Sequence, residues 1–275
     1  MSEPPAEQYR RTETITREPA EALAGLLDVD LPAGDLPPLW HWVFLLERRP
    51  HSELGPDGHA TTGIPAPPGP GRKRMFAGGR VETHELLWYD EPATRTTYVS
   101  ATRQTVGRTG PLTFVTVRSE YTQGDRLAIV DESDIVYRGP GSSVDARVGS
   151  LDDEPQRPER EPFVRLTADV ALLFRFSALT YNAHRIHYDQ RWTAQEGYGD
   201  LVVHGPLQAL LMAELVRRTG SGIAGSCFSY RLVAPMVGPQ TFTVVAATGG
   251  PDAGAEVADV FGTVTARSTV APLPR

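Results

Sequence analysis

Between Leu207 and Val216 almost every position is apolar: Leu207, Ala209, Leu210, Leu211, Met212, Ala213, Leu215 and Val216. A helix that is hydrophobic nearly all round is a buried helix. This one is too short to span a bilayer, so the rest of the chain has to wrap it. His204-Gly205-Pro206 opens it, with Pro206 at the first helical position, where a missing N–H leaves no hydrogen bond unmade.

The residues upstream carry most of the chemistry-bearing side chains. Thr167 is expected as an N-cap, with Asp169 in the first turn and Val170, Leu173, Phe174 and Ser177 following at helical spacing to about Leu179. Thr180 to Tyr188 then reads as an irregular polar loop between two helices, a usual position for functional groups. Gly197-Tyr198-Gly199-Asp200 is a turn signal, followed by the short apolar run Leu201-Val202-Val203.

The remainder reads as sheet. Four strand-like runs are expected at Arg80 to Tyr89, Thr96 to Val106, Leu112 to Tyr121 and Arg126 to Tyr137, the third mixing β-branched and aromatic residues as sheets do. After the buried helix, further strands are expected near Ile223 to Val233, Gln240 to Ala247 and Ala255 to Ser268. The first twenty residues read as frayed or lightly docked, and Glu21 to Leu27 as a short helix ending before Asp28. Leu39 to Glu47 is a further apolar segment. Pro50 to Pro70, rich in Gly, Pro and His, reads as a long loop, either functional or mobile. The charged, Pro-rich stretch from Gly139 to Glu161 reads as a linker. The expected organisation is an N-terminal half over 1–138, a linker over 139–161 and a C-terminal half over 162–275. Each half is expected to hold an apolar helix wrapped by a curled antiparallel sheet, an α+β fold.

Composition removes several classes. With 275 residues there is ample core, and a formal net charge of -7 gives no electrostatic footprint for nucleic acid. The opening residues are polar and charged, without the apolar segment of a signal peptide, and no long apolar run suggests a membrane, so a cytoplasmic protein is expected. A single cysteine, Cys227, excludes an internal disulfide and a thiol-rich metal site. No GxGxxG follows a strand and opens a helix, so NAD or FAD is not expected.

The residues alone leave several readings open. His184, His187 and Asp189 could brace the loop, or could form a metal-dependent hydrolase site, since histidines three apart beside a carboxylate can bind zinc. His204 reads as a residue that orients the turn. Trp40, Trp42 and Phe44 read as core or as lining of a pocket. Arg72-Lys73-Arg74 and Arg80 suit phosphate recognition, or a solvated basic loop.

The run Phe176-Ser177-Ala178-Leu179-Thr180-Tyr181-Asn182-Ala183-His184-Arg185-Ile186-His187-Tyr188-Asp189, with Val202-Val203-His204-Gly205-Pro206-Leu207, resembles the MaoC-like, hydratase-2-type acyl-thioester dehydratases. The nearest branch is that of the mitochondrial 3-hydroxyacyl-thioester dehydratase and the mesaconyl- and itaconyl-CoA hydratases. Arg74-Met75-Phe76-Ala77-Gly78-Gly79-Arg80 and Gly107-Arg108-Thr109-Gly110-Pro111-Leu112 resemble its landmarks in the first half. The resemblance covers most of residues 35 to 270 and implies a double hot-dog fold. One feature departs from the general hydratase motif, which has Asp five positions before its His. Here that position is Asn182, and His184 stands where the wider family has Asn. The narrower branch carries the same Asn and His.

The resemblance implies reversible hydration of an enoyl-thioester, carried by CoA or an acyl carrier protein, without metal or cofactor. Histidine titrates near neutrality and can move the protons, so His187 is the implied acid/base. Asn182 cannot serve as a base, because an amide only orients. Gly205, at a helix N-terminus, is the implied donor to the thioester oxygen. His184, Asp189 and His204 are supporting candidates, and Arg231, Arg74, Arg80 and Tyr181 are candidates for substrate or CoA binding. Only the second half carries the motif stretch, so one active site per chain is expected, with the first half shaping the acyl pocket; a homo-oligomer, such as a dimer, follows from the resemblance alone. A non-catalytic acyl-thioester-binding module and a thioesterase are the alternatives.

Overall fold

The structure is a computed structural model that describes residues 7–66, 73–107, 110–139 and 146–273. The first half runs β1 (Gln8–Thr14), α1 (Glu18–Leu27), a 3-10 turn at Trp40–Val43, β2 (Lys73–Thr83), β3 (Pro92–Gly107), β4 (Gly110–Gln123) and β5 (Arg126–Arg138). The second runs β6 (Phe163–Ala168), α2 (Val170–Leu179), α3 (Gln190–Glu196), α4 (Gly205–Thr219), β7 (Ser226–Leu232), β8 (Gln240–Ala247), β9 (Gly250–Ala258) and β10 (Val264–Pro272). The ten strands form one sheet in the order β1-β3-β4-β5-β2-β7-β10-β9-β8-β6. Read inward from each edge, the two halves have the same winding: first strand, third, fourth, fifth, second. They meet at an antiparallel seam in which Gly78 faces Arg231 and Thr83 faces Ser226.

Helix α4 is buried along its whole middle, Leu207 to Val216. Burying each large aliphatic side chain of such a helix contributes about 1.5–3 kcal/mol, so α4 anchors its half. It packs on β8, β9 and β10, and its residues share one core with α1, the Trp40 turn and α2. Among its described residues the first half has no helix as long as α4. The one-turn segment at Trp40–Val43 is buried instead, with Trp42 Nε1 donating to Asp131 Oδ2 at 2.6 Å and His41 Nε2 3.0 Å from the same oxygen. Trp40 and Phe44 are core residues. Each half thus holds a buried helix, as expected, with the ten-residue α1 in the first shorter than the fifteen-residue α4 in the second.

Several other expectations change. Residues 8–14 are not frayed but form an edge strand paired with β3. Thr167 is not an N-cap: it lies in β6 opposite Thr241, and Asp169 caps α2 by accepting the Leu172 N–H at 2.7 Å. The strand expected at Arg80 to Tyr89 begins earlier, at Lys73, and stops at Thr83. The run from Ala255 to Ser268 is two strands, because Asp259 Oδ1 accepts the N–H groups of Phe261 and Thr263 and turns the chain. In the stretch read as a linker, the described residues 146–161 are docked: Val148 bridges to Val237 and Arg147 stacks on Phe261. No helix among the described residues is long and apolar enough to cross a membrane.

Candidate active site

The polar loop after α2 ends in a 3-10 turn at Arg185–His187, which lays His187 under the N-terminus of α4. Its Nδ1 is 2.7 Å from the carbonyl oxygen of Val202. A carbonyl only accepts, so Nδ1 carries the hydrogen and Nε2 is left with a lone pair. His204, the N-cap of α4, stacks on the His187 ring with centroids 3.6 Å apart. His204 Nε2 in turn lies 2.8 Å from Ser177 Oγ on α2. Burial, reinforced by His184, lowers the His187 pKa from 6.5 to about 3. Burial and His187 likewise push His204 well below its usual value. Both rings are neutral at physiological pH.

A cavity of about 420 Å³ opens in front of His187. Asn182, His184, Gly205 and Gln208 line it from the second half, and His59, Arg74 and Phe76 from the first. Asn182 Oδ1 accepts the His184 N–H at 3.0 Å, so its amide nitrogen is the end available to a ligand. At Gly205 the first turn of α4 has N–H groups without an intrahelical acceptor. A Cβ there would run into Leu232 Cδ1 and come within 3.5 Å of Phe76 Cδ1, so any larger residue would have to push the Leu232 side chain aside.

The loop between residues 50 and 66 supplies what the sequence left unassigned. His59 lines the cavity with its ring 4.1 Å from that of His184. Its backbone N–H and Nδ1 are each 3.0 Å from the Asp57 carboxylate. Burial opposes the charged form of Asp57, but the bonds from His59 outweigh it and hold the carboxyl below its usual range. Burial also lowers the His59 pKa, against the pull of Asp57. The loop is fixed to the motif: Arg185 N–H donates to Asp57 O at 2.9 Å, and a Cβ on Gly58 would run into the Ala183 carbonyl. The signal for these residues was a His-bearing loop too long to be a simple connection.

Other sequence candidates lie elsewhere. Asp189 caps α3 through the N–H groups of Arg191 and Trp192 and pairs with Arg185 at 2.6 Å. It therefore does not join His184 and His187 as a metal triad; the ligand-type residues that do converge among those described are Asp57, His59 and His184. His184 Nε2 instead faces Glu196 Oε1 at 3.6 Å. Arg80 pairs with Glu132 at 2.7 Å, and Arg80 and the exposed Arg231 line a separate cleft of about 550 Å³. Tyr181, half exposed, lines a neighbouring cavity of about 430 Å³ shared with His59 and Asn182. Arg72 lies outside the described residues.

Buried imidazoles, an amide and a helix N-terminus face one cavity, groups of the kinds that can move a proton and accept an oxyanion. Residues 39–238 match the family described as hydroxyacyl-thioester dehydratase type 2, and the chain belongs to that family, whose enzymes are hydro-lyases. It is 43% identical over 240 residues to the mesaconyl-C(4)-CoA hydratase of Chloroflexus aurantiacus, covering 84% of each chain. In fold it is similar to HtdX of Mycobacterium tuberculosis, with a TM-score of 0.67 and 15% identity over 97% of this chain and 100% of that one. It is also similar to a second Mycobacterium tuberculosis protein described as a double hotdog fold, with a TM-score of 0.51 and 15% identity over 96% of both chains.

Proposed function

We propose that this chain adds water reversibly across the double bond of a conjugated acyl-CoA, with His187 as acid and base. His187 Nε2 takes a proton from water as the water oxygen bonds to the β-carbon. The π electrons move toward the thioester, whose oxygen becomes enolate-like at the N-terminus of α4, where Gly205 N–H and the helix dipole favour negative charge. The imidazolium then returns its proton to the α-carbon, and the enzyme is regenerated. Asn182 donates its amide hydrogens to the water oxygen and holds it.

The observation that carries the reading is the Nδ1–H bond from His187 to Val202, which fixes the tautomer and aims a lone pair into the cavity at a helix N-terminus. The likeness to a mesaconyl-C(4)-CoA hydratase favours a short dicarboxylyl group on CoA over a plain fatty acyl group. The same reading has the halves 1–138 and 162–275 joined through 139–161, one active site per chain, and a cytoplasmic homo-oligomer.

The test follows the ultraviolet absorbance of crotonyl-, mesaconyl- and itaconyl-CoA together with thiol release. Loss of absorbance without free thiol, reduced about 10²–10⁴-fold in His187→Ala, supports hydration by His187. Thiol release would make the protein a thioesterase, and binding without turnover would make it an acyl-thioester-binding module.

A further inference from the structure

Arg74 lies on β2 opposite Tyr137 of β5, beside the seam between the halves, and lines the same cavity as His59, His184 and His187. Three arginines of the surrounding segments are paired: Arg49 with Glu47 and Glu53, Arg80 with Glu132, and Arg185 with Asp189. Arg74 forms no such ion pair with any described residue. Arg138, next to Tyr137 on β5, forms no ion pair with a described residue either, but it does not line the cavity. The carboxylates whose fields reach it are Asp57 and Glu47. Asp57 is bonded to His59 and Glu47 to Arg49. Burial lowers the Arg74 pKa, yet a guanidinium stays charged. An enclosed cation facing an open cavity without its own counter-ion is a poor arrangement unless a ligand brings the anion.

We infer that Arg74 selects the acyl group, binding a free carboxylate that the acyl chain carries beside its double bond. This rests on the reading of the site given above. A planar guanidinium matches a carboxylate in a two-bond fork. The phosphates of CoA are the competing source of negative charge. The position favours the acyl carboxylate: Arg74 shares the cavity with the three histidines, and its charge is felt at His59, so it stands at the reacting end of a bound thioester. Arg80 and Arg231 line the other cleft instead.

The experiment compares mesaconyl- with crotonyl-thioesters, which differ in the carboxylate, each on CoA and on the phosphate-free carrier N-acetylcysteamine. Wild type, Arg74→Leu and Arg74→Lys are assayed. The expected result is that Arg74→Leu lowers kcat/KM for both mesaconyl thioesters by about 100-fold or more and leaves both crotonyl thioesters within about 3-fold. Arg74→Lys is expected to recover part of the loss, since it keeps the charge without the fork. Equal loss on both CoA esters with none on the N-acetylcysteamine esters would overturn the inference and give Arg74 to a CoA phosphate. Equal loss on all four, or no loss on any, would overturn it as well. If wild type hydrates none of them, the proposed hydration fails. The role of Arg74 is then still read from binding of the saturated succinyl- and butyryl-CoA: Arg74→Leu weakens only succinyl-CoA if the inference holds, and both or neither if it does not.

Discussion

The rings of His187 and His204 lie face to face, 3.6 Å between centroids and 19° from parallel, both buried. Two imidazoles stacked this closely cannot both carry charge, and burial disfavours either imidazolium. The unfolded chain binds protons on both below about pH 6.5, whereas the folded chain holds His187 neutral down to about pH 3. Wherever the unfolded state binds more protons, stability rises with pH. Acidification from about pH 6.5 toward pH 3 should therefore destabilise the fold, by about 1.4 kcal/mol per pH unit for each ring that stays neutral. Urea midpoints measured at pH 7.5, 6 and 5 check this. His204→Phe, which keeps an aromatic ring there, should flatten the slope; an unchanged slope would show that His204 does not contribute to it.

Asn182→Asp restores the carboxylate of the general hydratase motif. In this site it would add a negative charge beside histidines that burial keeps neutral, and an opposite charge raises a histidine pKa by about 1–3 units. The acid limb of kcat/KM should move to higher pH, and the amide donor to water is lost. A pH–rate profile superimposable on wild type would show that residue 182 does not face His187.

Gly205→Ala should reduce turnover at least about 10-fold, because the added methyl overlaps Leu232 Cδ1 and displaces the start of α4 from the thioester oxygen. Leu232→Ala in the same chain should recover part of the rate by making room. If the double variant is no better than Gly205→Ala, the steric account is wrong.

Asp57, His59 and His184 have ligand-type atoms within 4.8 Å of one another. Asp57 and His59 already bond to each other at 3.0 Å, and the proton cycle needs only histidine. Exhaustive chelation should leave the hydration rate unchanged. A loss restored by stoichiometric zinc would move the chemistry to a metal at these three residues.

What was readable in the sequence was whatever local pattern determines. The all-round apolar run pointed to α4, and strand-like runs, the clearest of them mixing β-branched and aromatic residues, pointed to β3, β4, β5, β7 and β8. Asn182, His184, His187 and Gly205 were singled out through the family resemblance of the stretch that holds them, and the fold lines one cavity with all four. Thr167 misled because it also suits a strand, and tertiary pairing with Thr241 outweighed its capping propensity. His59 and Asp57 could not be assigned, since nothing local ties residues 57–59 to residues 183–185. Only the folded chain brings them into register. Arg231 and Arg74 looked alike as cations near glycines or strands, and burial, which sequence does not reveal, separates them.

The seam between β2 and β7 divides the cavity by origin. His184, His187 and Gly205 descend from one half, while His59 and Arg74 descend from the other. In a symmetric pair of identical subunits, any change to the wall that reads the acyl group would also appear in the copy that carries out proton transfer. Here the halves are separate stretches of one chain, and the fifteen-residue α4 belongs to the second. A substitution at His59 or Arg74 therefore leaves the stretch that carries His184, His187 and Gly205 unchanged, so the two walls of the cavity can be varied independently.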